Sequence, residues 1–167
     1  FRSKNIDRYL EYCNGDNITL TARPAISALT IGYYDTLLRY CLDRKIIVKS
    51  LWVTRPNFLS PQILPDHVKQ QYICNFEKII KDYELESSNY LVDYNESDPN
   101  EIARIIASQA HQCINMLSSP CLENNQQLLK DMVAHCQRWD RVYGYNAKEL
   151  YPELAEILDQ YGYSTSS

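Results

Sequence analysis

Glycine is scarce in this chain, four residues in 167, and none lies in a G-x-G-x-x-G or G-x-x-x-x-G-K run. A local backbone cradle for a nucleotide phosphate is therefore missing. There is no G-x-S-x-G elbow and no H-x-E pair, so a self-contained hydrolase or nucleotide-binding enzyme has no sequence support. Lys and Arg number 17 against 21 Asp and Glu, a net charge of −4 with no basic block. The electrostatic footprint of a general nucleic-acid binder is absent. No apolar run approaches the roughly 20 residues of a membrane helix, and no charged-then-apolar leader precedes a small-residue cleavage site. The composition is that of a cytoplasmic protein that engages neither nucleic acid nor membrane.

Cysteine occurs six times, at 13, 41, 74, 113, 121 and 136, but never at C-x-x-C spacing. A disulfide framework is not expected, because the chain is neither short nor visibly secreted. Cys41, Cys74, Cys113 and Cys136 fall among apolar residues on expected helices, where a free thiol acts as a small hydrophobe. Cys113, Cys121 and Cys136 are the one group near each other in sequence and leave an iron–sulfur or zinc site open. His67, His111 and His135 are dispersed, without a carboxylate or cysteine at a recognised ligand offset, and read as structural or surface residues.

What the chain does have is tyrosine, fourteen residues, within a composition that is 45% apolar. Tyrosine needs a hydroxyl partner when buried, so many rings belong at the boundary of the core. "NIDRYLEYC" sets Ile6, Tyr9, Leu10 and Cys13 at helical spacing, and "NGDN" then breaks the helix. "NITLTAR", 17–23, reads as a strand ending at Pro24. Tyr34, Leu37, Leu38 and Cys41 recur at the helical period, and "KIIVKSLWV", 45–53, reads as a buried strand. Strand, helix and strand make a βαβ unit, whose strands should be parallel and whose crossover should be right-handed.

Such strands need neighbours, and "NYLVDY", 89–94, is the only other candidate in the chain. The missing strands are most economically placed before Phe1. The loop "TRPNFLSPQILPD", 54–66, leaves the carboxyl end of the second strand, the edge where ligands bind in parallel α/β folds. Beyond it the chain reads as helical. One helix starts at Pro65-Asp66 with Val68, Tyr72, Phe76, Ile79 and Ile80 inward. A second is capped by Ser97 or Asp98 and buries Ile102, Ile105, Ile106, Ala110, Cys113, Ile114 and Leu117. A third, 122–142, has Leu128, Leu129, Met132, Val133, Cys136 and Trp139 on one side. A short terminal helix places Leu150, Leu154, Ile157 and Leu158 inward. The fold class is thus α/β, with residues 1–64 forming the βαβ part and 65–167 a helical extension.

Chemistry, on this reading, gathers at the carboxyl ends of the strands, Arg23 to Ser27 and Trp52 to Asn57. Arg23 and Arg55 can pair with a ligand carboxylate and Trp52 can stack on a flat ring. The plain alternative has both arginines in solvent and Trp52 in the core. "RWDRVYGYNAKELYPELAEIL" places Gly144 for a left-handed helix stop and Asn146 to cap the next segment, a corner that docks the terminal helix.

The tail "WDRVYGYNAKELYPELAEIL" resembles the D-x-x-R/Y-G-x-N-x-x-x-x-x-P-E-L ending of twitch-type radical S-adenosylmethionine (SAM) proteins. Residues 17–70 resemble their fifth strand, fifth helix and sixth strand. The exit P-x-x-L-x-P-x-x-L-P-D-x-x-K is matched here by Pro56, Leu59, Pro61, Leu64, Pro65, Asp66 and Lys69. The resemblance implies the carboxyl-terminal part of a partial (β/α)6, TIM-like barrel. It also implies a [4Fe–4S] cluster and SAM, cleaved reductively to a 5′-deoxyadenosyl radical, in the full-length protein. The C-x-x-x-C-x-x-C cluster motif is absent, so the chain reads as a carboxyl-terminal piece that binds neither group alone. Its partner is then the missing amino-terminal half. Ser27, Trp52, Arg55 and Asn57 are the implied contributors to the SAM cleft; no catalytic residue or metal ligand is implied, and the substrate, small molecule or peptide, is left open. Two readings compete: a non-catalytic helical protein-binding domain, and a helical module stabilised by zinc on the late cysteines.

Overall fold

A computed structural model describes residues 4–13, 20–83 and 101–164. The candidate strand 89–94, the "NGDN" turn and the Ser97 or Asp98 cap lie outside them. Within them the fold is mixed α/β, with one parallel βαβ unit and a helical remainder.

The first strand contains β1 (Thr21–Ala22) and β2 (Ala25–Ile26), and the second contains β3 (Ile47–Val48) and β4 (Leu51–Trp52). Thr21 pairs with Ile47, Ala22 with Val48, Ala25 with Leu51 and Ile26 with Trp52, all parallel. The offset never changes, so this is one strand pair interrupted once. Its cause is Pro24, which has no N–H to return across the ladder. Its carbonyl still accepts from the Leu51 amide at 2.9 Å, between rungs from Lys49 to Ala22 and from Val53 to Ile26. The expected strand end at Pro24 is therefore corrected: proline removes one donor, and pairing resumes beyond it.

Between the strands runs α2 (Tyr34–Asp43), burying Tyr34, Leu38 and Cys41. It stops in a Schellman turn, with the Ile46 amide donating to Cys41 O at 2.8 Å and Lys45 at φ 55°. Buried Ile46 supplies the apolar contact that accompanies this stop. The preceding α1 (Lys4–Cys13) turns Ile6 and Leu10 to the core. Tyr9, expected inward, is 63% exposed.

α3 (Asp66–Asp82) and α4 (Glu101–Ser118) pack on each other more extensively than any other pair of elements. α4 also packs on α2 and β3, so helices cover one face of the strand pair. α5 (Asn125–Tyr143) buries Leu129, Met132, Val133 and Cys136 but leaves Trp139 half exposed, against expectation. The chain closes with α6 (Ala147–Leu150) and α7 (Ala155–Gln160). Leu154, Ile157 and Leu158 are buried, whereas Leu150 is largely exposed. Among the described residues no helix is long and apolar enough to cross a membrane.

Candidate functional site

Successive residues of a strand point to opposite faces, and the two faces of this pair are unlike. Ile26, Val48 and Trp52 share the face that packs on the hydrophobic core. Ser50 belongs to the same face and is held there by Tyr34 and Gln109, whose side chains bond to its hydroxyl. The Tyr34 hydroxyl also donates to Gln109 Oε1 at 3.1 Å. Burial drives the Tyr34 phenol far above its ordinary value, so it remains a neutral donor. The opposite face is covered at its start, where Ile47 is 4% exposed, and bare beyond it: Arg23, Ala25, Lys49 and Leu51 are all exposed, Leu51 to 60%. Parallel sheets are normally covered on both faces. The outer edge of the first strand is also open, with no backbone partner for the amides of Thr21, Arg23 or Ala25 among the described residues.

The constant register revises the geometry of the carboxyl edge. Ser27 lies level with Val53, whereas Arg23 lies level with Lys49, four residues back and about 13 Å along the strand. Arg23 is thus a bare-face residue rather than an edge residue. Ser27 is buried, and its hydroxyl accepts from the Leu29 amide at 3.3 Å and bonds Thr30 Oγ1 at 3.2 Å. That hydroxyl is spent on the turn entering α2. Trp52 is half-buried on the helix-covered face, while Arg55 and Asn57 are exposed on the exit loop. Among the described residues Arg23 and Arg55 make no ion pair. The loop is tied back to the strand exit by the Ala28 amide, which donates to Leu59 O at 2.7 Å.

Next to Asn57, Phe58 begins a run of rings that the sequence reading missed. Phe58 meets His135 at 5.3 Å, His135 meets Trp139 at 5.5 Å, Trp139 meets Tyr143 at 5.3 Å, and Tyr143 stacks on Tyr145 at 6.0 Å. Its signal was present: positions 135, 139 and 143 recur at i, i+4 and i+8 on one helix. Burial, with Arg138 adding to it, lowers the His135 value and favours the neutral ring. The outer members, Trp139, Tyr143 and Tyr145, are at least half exposed. The ladder therefore extends the exit edge along the surface of α5.

Among the described residues the cysteines form no cluster with other metal-ligating side chains. Cys41, Cys113 and Cys136 are buried, and Cys74 and Cys121 are exposed. Burial pushes the Cys41 and Cys136 thiols up to about 11 and raises Cys113 as well, so these sulfurs retain their protons. Among the described residues no group of His, Cys, Asp and Glu is placed to hold a metal ion. The described residues offer no ligand set for an iron–sulfur cluster. Comparison with protein-family models, with curated proteins and with solved structures finds no match.

Proposed function

We propose that this chain forms the closing strands and helical extension of a partial (β/α)6 radical SAM barrel, its bare sheet face turned toward the barrel lumen. One observation carries the reading: a parallel strand pair covered by helices on one face, bare beyond Ile47 on the other, and open along the edge of its first strand. A barrel uses strands in that way, with helices outside, side chains inside and neighbours on the open edge. In such an enzyme the bound cluster and SAM supply reductive cleavage of the sulfonium. The work of this chain is to wall the cleft. Arg23, on the bare face, offers positive charge suited to the carboxylate of an amino-acid-like ligand. Arg55 and Asn57 border the mouth from the exit loop.

The test begins with the coding DNA upstream of the Phe1 codon. An open frame carrying C-x-x-x-C-x-x-C is the expected result, and the longer protein, reconstituted anaerobically with iron and sulfide, should convert SAM to 5′-deoxyadenosine. A frame without that motif, or a loaded protein that makes no 5′-deoxyadenosine, overturns the reading.

A second reading, a non-catalytic helical binding domain for a protein partner, is favoured by the exposed part of the aromatic ladder. The two differ in how this chain unfolds alone. A binding domain melts cooperatively, whereas barrel strands with an open edge fray before the helical part.

A further inference from the structure

Tyr33, Thr36, Leu37 and Tyr40, at i, i+3, i+4 and i+7, form one stripe along α2 and the residue before it. Opposite them stand Glu149 and Leu150 of α6, and the six residues line a cavity of about 430 Å³. Small-ligand pockets run to roughly 300–1,000 Å³, so the volume suits a compact organic molecule. Tyr33 and Leu150 remain 45% and 46% exposed, which leaves ring and hydrocarbon surface available on both sides.

The polar atoms of these walls are already spent, with one exception. The Tyr33 hydroxyl donates to Leu150 O at 3.0 Å, the Tyr40 hydroxyl to Asp7 Oδ1 at 3.1 Å and the Thr36 hydroxyl to Asp35 Oδ1 at 3.3 Å. These bonds fix the two phenols in place, and a wall held beforehand loses little entropy when a ligand arrives. What Tyr33 and Tyr40 then offer the cavity is ring. Glu149 is the exception. Its Oε1 accepts from Asn146 Nδ2 at 3.0 Å, whereas a carboxylate can accept about four such bonds.

Charge around the cavity is of one sign. Glu149 is the one charged group among the described lining residues, Asp35 lies against Thr36, and Glu153 acts on the Tyr33 phenol. Burial, with the charge of Glu153 adding to it, raises the Tyr33 phenol above its ordinary value, so the ring stays neutral. The cations of the neighbouring helices are engaged elsewhere: Arg39 pairs with Asp82 at 3.0 Å, Arg44 with Asp7 at 3.1 Å, and Lys148 with Asp159. The Arg44 guanidinium also sits 3.9 Å from the centroid of the Tyr40 ring, a sign of what that π-system attracts.

We propose that the cavity between α2 and α6 binds a small organic ammonium ion, its charged end on Glu149 and the tyrosine rings and its apolar chain on Leu37 and Leu150. An anion of the same shape is repelled by Glu149. A neutral molecule forgoes both the ion pair and the attraction of the rings. No strand residue lines the cavity, so the inference stands apart from the barrel reading.

The test is titration of the full chain with hexyltrimethylammonium, hexylammonium, hexanol and hexanoate, followed through the methyl resonances of Leu37 and Leu150. Both ammonium ions are expected to shift these residues with a Kd of about 1 mM or tighter, hexanol to bind about tenfold more weakly and hexanoate not at all. Glu149→Gln keeps an acceptor for Asn146 and should weaken the ammonium ions about tenfold at unchanged Tm. Thr36→Trp, at an exposed position of the wall, should block the cavity to all four probes. Nα-acetyl-lysine methylamide presents the ammonium as a peptide would. Weaker binding than hexyltrimethylammonium is expected, and tighter binding would assign the cavity to a protein lysine and sink the small-molecule assignment. Should Glu149→Gln fail to fold, hexanol against hexylammonium on the unaltered chain still decides. Equal affinity for those two, no shift at Leu37 and Leu150, or ammonium binding unmoved in a folded Glu149→Gln would overturn the proposal.

Discussion

At Lys45 the chain adopts φ 55°, a left-handed conformation that costs an L-residue with a Cβ about 1 kcal/mol. The Schellman stop of α2 needs that conformation whatever residue supplies it. Lys45→Gly should therefore stabilise the protein by about 1 kcal/mol, seen as a higher urea midpoint at unchanged slope. Gly32 illustrates a different constraint, close approach. A Cβ there would lie 2.8 Å from both Glu153 Oε1 and the Tyr72 hydroxyl oxygen, two buried atoms without a hydrogen-bond partner among the described residues. Burial raises the Glu153 carboxyl above its ordinary 4.5, against an opposing pull from its backbone amide and the Tyr33 hydroxyl. A carboxyl raised on folding contributes stability below its unfolded value, and that contribution is lost as pH rises through the folded value. Glu153→Gln should accordingly raise Tm at about pH 7 and leave it unchanged at about pH 4. An equal shift at both pH values would contradict the assignment. None of these three positions was legible in the sequence, because each depends on a neighbour distant along the chain or on a backbone angle.

Helices were the legible elements, since the 3.6 period reports burial directly. The inward residues of α2, α3 and α4 follow the periodicity closely. The errors share a cause. Tyr9, Trp139 and Leu150 are apolar residues at the margin of an apolar stripe, and the packing neighbour on that side is missing or aromatic. The corner after α5 was legible as chemistry. Gly144 adopts φ 67°, and Asn146 caps α6 by accepting from the Lys148 amide at 3.1 Å. What the sequence concealed is the third party. Asp140 Oδ2 accepts from the buried Ala147 amide at 3.1 Å and from the Tyr163 hydroxyl, and that hydroxyl also accepts from Ala147 at 2.9 Å. Desolvation and the Asp140 bond push the Tyr163 phenol up to about 12. Asp140→Ala should cost about 2 kcal/mol, because it removes an acceptor shared by the Ala147 amide and the Tyr163 hydroxyl, while Tyr163→Phe should cost about 1 kcal/mol because Asp140 still serves Ala147. Chemical denaturation of both variants checks the order, and a costlier Tyr163→Phe would show that the hydroxyl is the principal acceptor.

For the whole molecule, the βαβ unit was readable from β-branched runs flanking a helical period. Its consequence, a face bare beyond Ile47 and, among the described residues, unpaired outer edges, needed the register. Leu51 sits on that bare face, so in this chain Leu51→Ser should change stability by less than about 0.5 kcal/mol, as an exposed substitution does. In a protein where further strands close over the face, the same change should cost more, about 1–3 kcal/mol for burying an unpaired hydroxyl. The four residues that the resemblance implied for a cleft lie in unlike surroundings. Arg55 and Asn57 are exposed on the exit loop, but the hydroxyl of Ser27 is committed to its turn and Trp52 belongs to the covered face. The central claim is that the first strand's outer edge awaits a neighbour, and residue-resolved amide hydrogen exchange on this chain tests it most directly. The amides of Lys49, Leu51 and Val53, bonded to Ala22, Pro24 and Ile26, should be protected, and those of Thr21, Arg23 and Ala25 should exchange at loop-like rates. Protection of Thr21, Arg23 and Ala25 equal to that of Lys49 and Leu51 would mean that this chain closes its own sheet, contradicting the barrel account.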